Sequence, residues 1–320
     1  MATMVVLFHF IATYNIEVYG DWMPPDSAPL SNTGPISVSL FFMISGFLFF
    51  SVINKVDIKW GRFFISRALR IYPVYLLVIL VVCYISYVFG DKRDFFGILN
   101  WLVFIGSPIF GFKESYLVNS GVQWTLMYEV IFYGSLPLAW CIRTRKFASY
   151  ILAPFFVLFV SVNLIEVKIL RVDLLSLFFI GGICNYLSRK ESINRNTKVI
   201  GNAGFVFLLY AFFFTEPYSP TQFVILGFSF LGVVIGGGVF NLLNNKYLVS
   251  VGEVSYSVYM IHGLVLFILF RTDIIDLKKF SLFEFMPFLI IVMIITSILA
   301  CITYQCIEKK FMMYGKRINK

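Results

Sequence analysis

Apolar residues in this chain come in long unbroken blocks and do not alternate with polar ones. Ten such blocks stand out, at 1–19, 35–53, 72–89, 124–142, 147–165, 172–188, 199–215, 221–243, 254–271 and 284–306. A bilayer core of about 30 Å takes roughly 20 helical residues, whereas a barrel strand takes only about 10 and alternates with period two. The pattern therefore predicts an all-α membrane protein, a bundle of about ten transmembrane helices. One further apolar piece, Phe95 to Phe112, is interrupted by Asn100, Gly106, Pro108 and Gly111 and reads as an interfacial or re-entrant segment.

Composition agrees: 59% of the 320 residues are hydrophobic, 13% are charged, and the mean hydropathy is +0.86. A soluble fold of this size cannot hide that much apolar surface. The longest stretch between blocks is the 34 residues from Gly90 to Gln123, so residues 1–320 read as one integral membrane domain. Any chemistry must be built inside the bundle. If both termini are cytoplasmic, the inner connections and tail carry 18 Lys and Arg and the outer connections 8, while acidic residues run 4 inside to 12 outside. That is the positive-inside bias, and it favours an even number of spans with both ends inside. The net charge of +9 then reflects orientation and contact with anionic lipid. No motif points to nucleic acid.

The first block is short. Its apolar part, Met1 to Tyr14, covers only about 21 Å and has no basic anchor before it, so the chain is expected to continue upstream. Cys83, Cys141, Cys184, Cys301 and Cys306 lie in or beside apolar blocks without paired spacing, and read as small core residues; no metal site is implied. Gly232, Gly236, Gly237 and Gly238 fall within the eighth block and suggest helix packing through small residues.

Polar groups inside apolar blocks are costly, and they usually face the bundle and carry function. His9 shares a helical face with Thr13 and Glu17. His262 shares one with Ser255 and Tyr259, placing it within reach of a hydroxyl. For each histidine, packing against a neighbouring helix is the plainer alternative. Glu129, in the fourth block behind Gln123 and Trp124, suits either the orientation of a histidine or acceptor, or a structural ion pair. Arg67 and Arg70 lie three apart at the inner boundary, ahead of Tyr72-Pro73. Two guanidiniums held together suit a phosphorylated ligand, or an anchor on anionic lipid.

These strings, in this order, resemble the motifs of the acyltransferase 3 family of integral membrane acyltransferases. Val5-Val6-Leu7-Phe8-His9-Phe10 resembles the end of its first-helix motif. Phe41-Phe42-Met43-Ile44-Ser45-Gly46-Phe47 is similar to F-F-x-x-S-G-F, and Arg67-Ala68-Leu69-Arg70-Ile71-Tyr72-Pro73 to R-x-x-R-I-x-P. Gln123 to Glu129 with Phe132-Tyr133 resembles W-[ST]-L-x-x-E-x-x-F-Y, and Gly252 to His262 resembles G-x-x-S-Y-S-x-Y-x-x-H. Tyr304 to Phe311 resembles the closing Y-x-x-I-E-[KR]-P-F, with Lys310 where proline is usual. The Trp124-Thr125-Leu126 form is similar to the branch that modifies bacterial exopolysaccharides.

The resemblance implies a ten-helix bundle in the bacterial inner membrane that transfers an acyl group, commonly acetyl from acetyl-CoA, to a hydroxyl of a surface or secreted polysaccharide or lipid-linked sugar. It implies His9 as general base, or as the carrier of an acyl-histidine, and Glu129 as a second catalytic group. Arg67 and Arg70 would hold the donor phosphates, with Ser45, Tyr259 and His262 as candidates for the substrate or oxyanion contacts. The family also carries an Arg eleven residues before this His, a position that here falls ahead of Met1. Two other classes fit the same features: a transporter or flippase for a glycan or lipid-linked sugar, and an inactive relative in a glycan-assembly complex. The acceptor sugar and the oligomeric state are not readable from the residues.

Overall fold

The computed structural model describes residues 1–22, 24, 26–53, 58–90, 97–144, 171–272 and 274–318. Among the described residues there is no β-strand, only an isolated bridge between Ile109 and Phe112. The main helices are α1 (Ala2–Tyr19), α2 (Thr33–Ile53), α3 (Trp60–Phe89), α4 (Trp124–Thr144), α5 (Leu175–Leu187), α6 (Thr197–Phe214), α7 (Pro220–Ile235), α8 (Ser255–Phe270) and α9 (Phe288–Thr303). Among the described residues, five helical stretches are long and apolar enough to cross a membrane, and two bent pairs raise that number to as many as seven. The predicted helix at 147–165 lies outside the described residues.

Three of the segments singled out above take a definite form. The arginine-bearing segment is part of α3, which begins at Trp60 and runs for 30 residues with Pro73 inside it. Over residues 97–112 the chain is helical at Gly97–Leu102 and continues irregularly through Phe104 and Phe110 at positive φ. The glycine cluster breaks its helix: Gly236 takes φ +67°, a left-handed cap whose N–H returns to the Gly232 carbonyl. The chain then turns by 58° into Gly238–Asn244. The packing role survives on both sides of the break, since a Cβ on Gly232 would stand 3.2 Å from the Gly204 Cα on α6 and one on Gly237 would fall 2.0 Å from the Thr197 carbonyl oxygen.

The chain divides into two compact units. The first comprises Met1–Gly34, Gly61–Met127 and Tyr247–Lys320. On α3, Val74, Val78 and Val82 are fully buried at four-residue spacing, while Leu80, Tyr84 and Val88 are exposed, so one stripe packs and the opposite one suits lipid. The Tyr75 hydroxyl donates to the Trp101 carbonyl at 2.5 Å, and the Ser86 and Ser115 hydroxyls meet at 2.9 Å, tying the 97–119 segment onto α3. Helix α1 lies along α8, and Phe10 stacks on Phe285 at 4.1 Å. Such ring pairs contribute about 0.5–1.5 kcal/mol beyond their buried area.

The second unit comprises Pro35–Trp60 and Tyr128–Lys246. Here α2 and α5 touch backbone to backbone. A Cβ on Gly46 would fall 2.0 Å from the Phe178 carbonyl oxygen, and one on Gly181 would fall 2.0 Å from that of Met43. Close approach through small residues is how helices gain contact where the surrounding lipid is as apolar as they are.

Candidate active site

The two histidines of the chain, 253 positions apart in sequence, are neighbours in the first unit. Their ring centroids lie 5.3 Å apart, His9 from α1 and His262 from α8. His9 is half-buried and edges onto Phe8, while His262 is completely buried. The expected partner of His262 was a hydroxyl. Instead its Nδ1 lies 3.2 Å from the Val258 carbonyl oxygen one turn back. A carbonyl only accepts, so the proton sits on Nδ1 and Nε2 presents its lone pair. That Nε2 is buried without a partner among the described residues.

Tyr259, one turn before His262's next neighbour on α8, is already engaged. Its hydroxyl meets the Thr125 hydroxyl at 2.9 Å and donates to the Val122 carbonyl at 3.2 Å. The Trp-Thr-Leu motif thus enters the first unit as a clasp on α8.

His9, Thr13, Trp22, Leu117, Ser120 and Arg271 line a narrow cleft with room for about one water molecule. Arg271 follows α8 directly and is only 12% exposed. One guanidinium nitrogen lies 2.9 Å from Glu17 and the other donates to Glu114 at 2.6 Å, so the polar stripe His9, Thr13, Glu17 ends in a carboxylate–guanidinium–carboxylate bridge. Sequence reasoning missed Arg271 and Glu114. The available signal was a lone cation just past an apolar block, with Glu17 already unmatched on the His9 face.

The opposite end of α8 carries the arginines' surroundings. Arg67 is half-buried over the Phe63 ring, at 5.9 Å, and Arg70 is exposed. The Tyr256 hydroxyl donates to the Ile71 carbonyl at 2.7 Å, fastening α8 to α3. Ser257 donates at 2.6 Å to Glu308, which is buried in a π-helical turn, Tyr304–Glu308, within electrostatic range of Arg70. π-Turns inside α-helices recur at functional sites. At 1.5 Å per residue, His262 stands about 8 Å along α8 from Ser257 and about 14 Å from Arg271. Arg67 and Arg70 do not line the His9 cleft.

Glu129 and Ser45 belong to the second unit. Glu129 Oε1 accepts from the Ser45 hydroxyl at 3.1 Å and from the Tyr133 hydroxyl, one turn along α4. No cation lies within ion-pair distance of it among the described residues. Below it, Phe132 stacks on Phe178 at 4.2 Å, so the carboxylate sits at the edge of an aromatic core. Among the described residues no group of three His, Cys, Asp or Glu side chains is arranged to hold a metal.

No curated protein and no solved structure matches the chain. A family model does, over residues 1–305, that is, across both units and every motif up to the start of the closing one. Its description is an acyltransferase domain, and with helices apolar enough to cross a membrane and two histidines brought to 5.3 Å, this chain belongs to the acyltransferase 3 family of membrane acyltransferases.

Proposed function

We propose that this protein transfers an acetyl group from acetyl-CoA to a hydroxyl of a surface or secreted polysaccharide, working from the bacterial inner membrane as a ten-helix bundle with both termini in the cytoplasm. The observation that carries the proposal is the histidine pair, 5.3 Å apart, with His262 offering an unpartnered Nε2 inside apolar helices. An unpaired basic nitrogen in that setting is expensive as structure and useful as chemistry.

In this reading His9 takes the proton of the acceptor hydroxyl as that oxygen attacks the thioester carbonyl, and returns it to the departing thiolate. His262, locked by Val258, orients and backs His9. Arg67 and Arg70 receive the donor phosphates at the Ser257 end of α8, where Glu308 offsets the charge of Arg70 until the donor replaces it. Glu129, with Ser45 and Tyr133, is a positioning carboxylate in the second unit. The cleft at His9 admits about one water in this form, so the acceptor enters by displacing the Trp22 or Arg271 side chain.

The test is twofold. Surface glycan from cells with and without the gene is compared by mass spectrometry, where loss of acetyl increments is expected on deletion. Purified protein should then consume acetyl-CoA only when the glycan is added. Glycan-independent or absent thioester consumption, with unchanged glycan in the deletion, would reject the reading in favour of transport or assembly.

A further inference from the structure

A second side chain of the first unit, on the turn that packs against the residue after His262, is buried with its bonding capacity unused among the described residues. Asn119 closes a 3-10 turn, Ser115–Asn119, and has no exposed surface. Both its amide nitrogen and its amide oxygen lack partners among the described residues. Native proteins seldom leave a buried amide wholly unpaired, because the desolvation is not offset.

The local backbone is built to put it there. Ser120 and Gly121 follow at φ +49° and +66°, two successive left-handed residues, and the first of these is a conformation uncommon for any residue with a Cβ. The turn presses onto α8 at Gly263, the residue after His262: a Cβ on Gly263 would meet the Asn119 carbonyl carbon at 2.4 Å and the Ser120 nitrogen at 2.8 Å. Leu117 and Ser120, on either side of Asn119, line the His9 cleft. The other hydroxyls considered for an oxyanion contact are occupied, Ser45 on Glu129 and Tyr259 between Thr125 and Val122.

We infer that Asn119 is a catalytic residue of this site, its amide N–H donating to the thioester carbonyl oxygen as negative charge develops there. The inference rests on the proposed acyl transfer. As the acceptor oxygen bonds to the carbonyl carbon, its proton passes to His9 and the carbonyl oxygen becomes the oxyanion that Asn119 receives. Collapse breaks the carbon–sulfur bond, and the thiolate takes the proton back from His9. A donor held in place before the reaction stabilises this charge without reorganising, and the loss of one such donor commonly costs about 10²–10³ in turnover.

The experiment uses the full chain in lipid nanodiscs, acetyl-CoA, and polysaccharide from a strain lacking the gene, with Asn119→Leu and Asn119→Asp compared to wild type. We expect kcat to fall about 100-fold or more in both. KM for acetyl-CoA should stay within about threefold, and the thermal midpoint of Asn119→Leu should be equal or higher, since an unpaired amide has been removed. A folded Asn119→Leu with kcat within about threefold of wild type overturns the inference and makes Asn119 a water-bridged structural residue. Should Asn119→Leu not fold, Asn119→Asp decides by the same criterion. An inactive wild type would overturn the proposed function and this inference with it; an active wild type beside an equally active variant overturns this inference alone.

Discussion

Two polar islands interrupt the apolar helices, and they are finished differently. Around Glu129 the bonding is closed: one carboxylate oxygen accepts hydrogen bonds from the Ser45 and Tyr133 hydroxyls, and aromatic rings pack behind it. Around His262 it is left open, with Nε2 and, on the turn packed against Gly263, both Asn119 amide atoms buried and unpartnered among the described residues. Because an unmet buried polar atom costs about 1–3 kcal/mol, a cluster of them is stability given up at one place. Proteins concentrate such departures where substrate supplies the missing partners. Under the proposed function, the contrast separates a polar group that secures the fold from polar groups left open for a ligand.

The sharpest way to break the comparison is at the open island. His9→Ala should lower glycan acylation by about 10²–10⁴-fold while the protein stays folded and membrane-inserted; near-wild-type turnover would remove the imidazole from the mechanism. Next come the arginines. Arg67→Ala or Arg70→Ala should each weaken acetyl-CoA binding by about 10- to 100-fold, the worth of a charge-assisted contact, and leave acceptor preference alone. Donor affinity unchanged by both would leave them as lipid anchors.

At the closed island the effects should be smaller and lie mostly in stability. Glu129→Ala strands two hydroxyls and should cost about 1–3 kcal/mol, read as a lower thermal midpoint. Glu129→Gln keeps an acceptor oxygen for both, so its midpoint should hold while turnover falls about tenfold; unchanged turnover would make this carboxylate purely structural. Last, Gly263→Ala and Gly46→Ala each drive a methyl into backbone, at 2.4 Å and 2.0 Å, and each should lose roughly 1–3 kcal/mol of stability. Gly263→Ala should also reduce turnover, since it displaces the Asn119 turn, whereas Gly46→Ala should act on stability first.

Helix periodicity and block length were enough to predict α1 and α2 nearly to the residue, because apolar length is set directly by the bilayer. The same reasoning ran one bent stretch together, because hydropathy does not register Gly236 adopting a left-handed cap inside the block at 221–243. It also began α3 at Tyr72, twelve residues late, because the charged turn from Trp60 lowers local hydropathy without ending the helix.

The chemistry divides along the same line. Residue type and position alone singled out His9, His262 and Glu129, since ionisable groups in apolar blocks are rare for an energetic reason that needs no coordinates, and their three-residue spacing singled out Arg67 and Arg70. What only the tertiary structure decided was adjacency and occupancy: that two histidines 253 residues apart share a corner, that Arg271 bridges Glu17 and Glu114, and that Tyr259 is taken while Asn119 is not. Bonding satisfaction depends on which helix faces which. Through-space contacts between distant segments leave no mark in local periodicity, so that part of the site became readable only once the chain was folded.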